Sequence, residues 1–160
     1  MRVVIGADHA GFELKAPIVA QLEALGHTHL DVGTHNHDPV DYPDLAREVA
    51  EAILQGRADL GILLCGSGIG GSIAANKFSG IRAGLCHDTY SAHQCREHND
   101  VNVLCLGARV IGKSLALDIV ETWLKASFDG LSKHRQRLDK IAEIEKQYSP
   151  ATVASKASSR

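Results

Sequence analysis

Leu60-Gly61-Ile62-Leu63-Leu64-Cys65-Gly66-Ser67-Gly68-Ile69-Gly70-Gly71-Ser72 is the stretch on which the architecture turns. Its opening apolar run has the length of a buried strand, the glycine-rich turn follows at once, and a helical segment comes next. Strand, turn and helix in that order make one βα unit of a parallel sheet. Working outward, short apolar runs bounded by Gly, Asp or His alternate with longer segments of helical period. Five strands are predicted: Val3 to Gly6, Thr28 to Val32, Leu60 to Leu64, Arg82 to Cys86 and Asn102 to Leu106.

The segments between them place apolar side chains at helical spacing, as in Leu14, Ile18, Leu22 and Leu25, then Leu45, Val49 and Ile53. Asp41-Tyr42-Pro43-Asp44 opens the second helix, with Asp41 expected to cap free amides and the proline placed where a donor has no partner. Later helices are predicted over Ile69 to Lys77, Thr89 to Glu97, Ile111 to Ala126 and, with Leu138, Ile141 and Ile144 on one face, Lys133 to Gln147. Right-handed crossovers then give a Rossmann-like three-layer α/β/α sandwich with a five-stranded parallel sheet and an added C-terminal helix. Residues 1–148 read as a single domain, and the Ser/Ala-rich tail over 149–160 is expected to be disordered. No internal repeat is visible.

At 160 residues, with 44% hydrophobic and 22% charged, the chain suits one core. A formal net charge of -2 argues against nucleic acid as the main partner. The apolar stretch Val3 to Ile5 is far shorter than a signal-peptide core, and no run approaches the roughly 20 apolar residues that span a bilayer, so a cytoplasmic protein without a membrane partner is expected. Cys65, Cys86, Cys95 and Cys105 show no C-x-x-C spacing and read as reduced thiols.

In an open α/β sheet, ligands bind beyond the carboxyl ends of the strands. Asp8 and His9, Cys65 to Ser72, His87 and Asp88, and Gly107 to Arg109 all fall on that edge. The glycine-rich turn reads as an anion cradle, since its amides can face a negative oxygen. Gly66, Gly68 and Gly71 also satisfy G-x-G-x-x-G, with Asp88 after the next strand as a candidate ribose-binding acid, so a dinucleotide site is a competing reading. Against it, the loop belongs to the third βα unit, the chain is short for a second catalytic domain, and Cys65 has no role in binding a pyrophosphate. Moving a proton between neighbouring carbons needs a base and donors for the enediolate oxygens, which Cys65 beside the cradle supplies. A buried strand-end cysteine without chemistry is the alternative.

The run Lys133-His134-Arg135-Gln136-Arg137 opens the last helix, where cations oppose the helix dipole. A bound phosphate would explain it, gripped together with Arg109 and His9, and a solvated charged turn is the competing reading. His98-Asn99-Asp100 is placed between the fourth helix and the fifth strand, at the amino edge and about 15 Å from Cys65 by strand rise. A catalytic His98 would therefore come from a twofold partner, whereas a structural loop histidine needs none. The alternate spacing of His27, His29, His35 and His37 lacks the ligand set of a closed metal site, so no metal is assigned. Trp123 and Phe128 read as core.

Together, Gly6-Ala7-Asp8-His9-Ala10-Gly11-Phe12, Asp41-Tyr42-Pro43, Cys65 to Gly70, Ser72-Ile73-Ala74-Ala75-Asn76-Lys77, His98-Asn99-Asp100 and His134-Arg135-Gln136-Arg137 resemble the type B ribose-5-phosphate isomerases. That family also contains galactose 6-phosphate and allose 6-phosphate isomerases, and the likeness runs from Met1 to about Tyr148. The resemblance implies a metal- and cofactor-independent homodimer, or a dimer of dimers, with its active site at the subunit interface and a cis-enediol intermediate. It implies that Cys65 is the base and that Ser67 moves protons between O1 and O2. The amides of Gly66, Ser67, Gly68, Ile69, Gly70 and Gly71 would form the anion hole, and His98, assisted by Asn99, would open the sugar ring. Asp8 and Tyr42 would hold sugar hydroxyls, while His9, Arg109 and Arg137 grip phosphate. Two positions depart from the family pattern. Lys133 stands where an arginine is expected and loses the bidentate grip, with His134 as compensation. Gly71 stands where a bulky apolar residue is usual, which would widen the pocket toward six-carbon sugars. An isomerase of allose 6-phosphate or galactose 6-phosphate, a non-catalytic nucleotide- or phosphate-binding module, and a non-catalytic subunit of a hexose phosphate isomerase remain the competing readings.

Overall fold

A computed structural model describes residues 1–148, and the expected disorder of the tail lies outside them. Two compact units are formed, one from Met1 to Phe128 and one beginning at Asp129.

The first unit alternates strand and helix through β1 (Arg2–Ala7), α1 (Phe12–Ala24), β2 (Thr28–Asp31), α2 (Tyr42–Leu54), β3 (Leu60–Cys65), α3 (Ile69–Ala75), β4 (Ala83–Leu85), α4 (Thr89–Asn99), β5 (Val103–Gly107) and α5 (Lys113–Lys125). All strands run parallel in the order β2-β1-β3-β5-β4. Every residue of β3 and β5 is buried, which is why these strands are continuous apolar runs. Successive side chains go to opposite faces. Val3, Ile5, Ala7, Ile62, Leu64, Leu104 and Leu106 pack with α1, α4 and α5, while Val4, Leu63, Val103 and Cys105 pack with α2 and α3. The result is the expected three-layer sandwich, with Trp123 fully buried in its larger core. The second unit contains α6 (Ser132–Gln147), on which Ile141 and Ile144 are exposed.

The elements end differently from several expectations. The edge strand β4 keeps only three residues, because one neighbour gives it half a ladder. Asp41 occupies the N-cap of α2, but its side chain makes no capping bond; its carbonyl accepts the Asp44 N–H at 3.2 Å instead. Helix α4 runs two residues beyond Glu97, so His98 and Asn99 end the helix and are not loop residues. Arg82 holds that end in place, with Nε donating to the Asp100 carbonyl at 2.8 Å and a terminal nitrogen pairing with the Asp100 carboxylate at 2.7 Å.

The register aligns the carboxyl edge: Ala7 pairs with Leu64, and Cys65 pairs with Gly107. The chain passes from β2 back across β1 to β3, so β1 and β3 flank the point where the winding reverses and a crevice opens. The turn after β1 lies so close to β3 that a Cβ on Gly11 would stand 2.6 Å from the Leu64 carbonyl carbon and oxygen. Backbone cannot give way as a side-chain tip can. Gly11→Ala is expected to cost about 1–3 kcal/mol of stability, measured as a lowered urea midpoint. Gly112→Ala, at a position with nothing within 4 Å, should shift it clearly less; equal shifts would disprove the tight turn.

Candidate active site

A cleft of about 400 Å³ opens at this reversal, lined by Asp8, His9, Ala10, Tyr42, Cys65, Gly66, Ser67, Gly70, Arg109 and Val110. Three consecutive central strands therefore contribute to it, together with the first residue of α2.

Cys65 is buried as the last residue of β3, and its Sγ accepts the Gly68 N–H at 3.2 Å. Gly68 makes this possible because its φ of 76° is left-handed, folding the loop back on the sulfur. Ser67 is exposed, and its Oγ accepts the Ile69 N–H at 3.3 Å. Two of the expected anion-hole amides thus already serve the loop. Among the described residues, those of Gly66, Ser67, Gly70 and Gly71 donate to no backbone carbonyl. Gly70 must be small, since a Cβ there would meet the Tyr42 ring at 2.5 Å.

Asp8 is buried, and its Oδ1 accepts the amides of Ala10 and Gly11 at 2.8 and 2.9 Å. That Asx turn fixes the β1–α1 corner and leaves Oδ2 for another donor. The His9 Nδ1 accepts the Val40 N–H at 3.4 Å, so a neutral ring carries its proton on Nε2. The segment leading to Val40 is itself tied down by Lys15, whose buried ammonium pairs with Asp31 at 2.8 Å and donates to the Thr34 carbonyl. The Arg109 side chain lies 3.5 Å from where a Gly66 Cβ would be, and its exposed guanidinium has no carboxylate partner among the described residues. His9 and Arg109 therefore offer N–H donors to an anion in one cleft.

Not every expected residue lies there. Ile69 is exposed on α3 and is not in the lining. Gly71 packs behind the sulfur, where Leu63 holds the space: a Cβ would come within 2.8 Å of Leu63 Cδ2. Its lack of a side chain closes α3 onto β3 and does not widen the cleft. His98 and Asn99 line no part of it, and His98 Nε2 sits 3.4 Å from Glu97. Lys133, His134 and Arg137 belong to α6 of the second unit, where His134 Nδ1 is 2.8 Å from Asp129 Oδ2. Ala10 and Val110 line the cleft without having been expected; neither carries a polar group that sequence reasoning selects.

The dinucleotide reading loses its acid. Asp88 caps α4, accepting the Ser91 N–H at 2.7 Å and the Ser91 hydroxyl at 2.8 Å, and the backbone bond holds its carboxyl below the usual range. Nor do the clustered histidines gather: His29, His35 and His37 approach Glu23, Asp31 and Glu13 in turn. Among the described residues no helix is long and apolar enough to cross a membrane.

The family model described as Ribose/Galactose Isomerase matches residues 3–141. Ribose-5-phosphate isomerase B of Escherichia coli is 49% identical over 144 residues, covering 90% of this chain and 96% of its own. D-erythrulose-4-phosphate isomerase of Pectobacterium atrosepticum is 45% identical over 151 residues, covering 92% and 97%. A solved structure of ribose-5-phosphate isomerase B from Clostridium thermocellum matches with a TM-score of 0.91 at 54% identity, over 93% of this chain and all of that one. With its whole cleft inside the matched residues, the chain is an enzyme of the ribose/galactose isomerase family.

Proposed function

We propose that the chain interconverts D-ribose 5-phosphate and D-ribulose 5-phosphate through a cis-enediol, with Cys65 as the base. The observation that carries this is the Cys65 sulfur, held 3.2 Å from the Gly68 amide, in a cleft shared with two anion-binding side chains, His9 and Arg109. From the aldose, the Cys65 thiolate removes the C2 proton and the electron pair moves toward the carbonyl, leaving charge on O1. The amides of Gly66, Gly70 and Gly71 hold that oxygen. Ser67 gives a proton to O1 and takes one from O2, and Cys65 returns its proton to C1, so the count of protons closes. Asp8 Oδ2 and the Tyr42 hydroxyl hold sugar hydroxyls, and the phosphate lies with His9 and Arg109. No metal or cofactor enters the scheme, which suits a cytoplasmic enzyme acting on a small sugar phosphate.

Opening the furanose ring needs a second proton carrier, which this reading assigns to His98 with Asn99. Because neither lines the cleft of its own chain, the reading requires a homodimer in which each subunit completes the other's site. Ile69 and Ile73, one turn apart on α3 and both more than half exposed, give an apolar face suited to such a contact.

Cys65→Ala is expected to lower kcat for ribose 5-phosphate by about 10²–10⁴-fold with KM little changed, as read in a coupled assay with and without chelator. Faster turnover of erythrose 4-phosphate or allose 6-phosphate by the unaltered enzyme would refute the five-carbon assignment.

Mixing Cys65→Ala subunits with His98→Ala subunits leaves one complete site per heterodimer. Random exchange should restore about a quarter of wild-type activity; no recovery would exclude a shared site.

A further inference from the structure

Cys95 stands nine positions after Cys86, yet the turn from β4 into α4 brings their sulfurs to 3.7 Å, van der Waals contact. Neither sulfur lines the Cys65 cleft. Cys86 is buried beneath the turn, and Cys95 is half-buried on α4. The Cys86 thiol donates to the Cys95 sulfur, and Arg96 adds a nearby positive charge; both lower the Cys95 pKa from its ordinary value. The same hydrogen bond, followed by burial, pushes the Cys86 thiol up. A thiol of lowered pKa in contact with a second, protonated one is the arrangement of an oxidisable dithiol.

We propose that Cys86 and Cys95 form a reversible redox site that takes a small peroxide as its oxidant and closes to a disulfide. The Cys95 thiolate attacks one peroxide oxygen, forming S–O as O–O breaks, and the departing hydroxide takes up from solvent the proton that Cys95 had released and leaves as water. Cys86 then attacks the Cys95 sulfur, forming S–S as S–O breaks, and its proton leaves with the hydroxide as a second water. Two thiols lose two electrons and two protons, and hydrogen peroxide gains both pairs. Closure moves the sulfurs from 3.7 Å to about 2 Å. Cys105 does not compete, because burial in the core pushes its thiol well up and keeps oxidants away. The site is one turn before His98 and directly precedes His87, whose Nε2 accepts the Gly107 N–H at 3.1 Å. Disulfides in a reducing compartment are mostly transient ones of this kind.

Trypsin supplies the test, since cleavage after Arg82 and Arg96 leaves both thiols on one peptide, Ala83 to Arg96, and Cys65 on another. The full chain is treated with hydrogen peroxide, alkylated without reduction, digested and weighed. The expected product is a peptide two hydrogens lighter that takes no alkyl group, and that takes two after dithiothreitol. In Cys95→Ser the lighter peptide disappears and Cys86 remains alkylated. Two alkyl groups on the wild-type peptide, at a peroxide dose that fully oxidises glutathione, would overturn the proposal. So would Cys95 sulfinic acid beside an alkylated Cys86. None of these readouts depends on turnover, so the result is separate from the isomerase assignment.

Discussion

The carboxyl edge of the sheet depends on backbones that approach where no side chain would fit. A Cβ on Gly107 would stand 2.6 Å from the Ser67 carbonyl oxygen, one on Gly68 would stand 3.0 Å from the Leu106 carbonyl carbon, and Gly11 is as close to Leu64. The corners after β1, β3 and β5 are therefore locked against one another, not packed through intervening side chains. Interiors this dense transmit small displacements. A shift of one corner would move the Gly68 amide away from the Cys65 sulfur, and the cleft has no independent means of restoring it.

This economy of side chains determines what polarity the cleft can offer. Asp8 uses one oxygen to staple its own turn, and Asp88 is committed to the cap of α4, so neither leaves two free oxygens for ligand. The balance at the site falls toward donors: loop amides, the Nε2 of His9 and the Arg109 guanidinium. An anion is the ligand that such a surface favours. Lys15 acts one step removed. Its pairing with Asp31 and Thr34 anchors the segment whose Val40 amide sets the His9 tautomer. Removing one partner of a buried ion pair is far more costly than the pair itself is stabilising, which gives that segment a reason to stay in place.

Much of this was legible in the sequence. Continuous apolar runs of β-length between helical segments identified the parallel sheet, and the carboxyl-edge rule brought Asp8, His9, Cys65, Ser67 and Arg109 together before any coordinates. Tyr42 came from the family resemblance, and Gly70 explains its position, because only a glycine leaves room for the ring. The strand order was not legible, since nothing local in β4 tells it to pair on the far side of β5. The end of α4 was misjudged for a similar reason. Arg82, from the flank of a different strand, satisfies the carbonyls beyond Glu97 and lets the helix continue through His98. Gly71 misled in the opposite direction: its missing side chain suggests space, but Leu63 on the adjacent strand fills it.

The four cysteines show why spacing is a poor guide to thiol chemistry. Read along the chain they show no C-x-x-C spacing, and three of the four end or lie within strand-like apolar runs, where cysteine commonly behaves as a small hydrophobe. In the fold their surroundings diverge. Cys65 faces a backbone amide at the mouth of a cleft, Cys105 is enclosed by hydrocarbon, and Cys86 and Cys95 face each other. Thiolate character follows the donors and charges around sulfur, and access follows burial. A βα turn that reverses direction within a few residues can bring together two positions that a C-x-x-C search never compares. The contact is written in the geometry of β4 and α4 and not in the interval between the residues, so proximity in the fold is the level at which reactivity becomes readable.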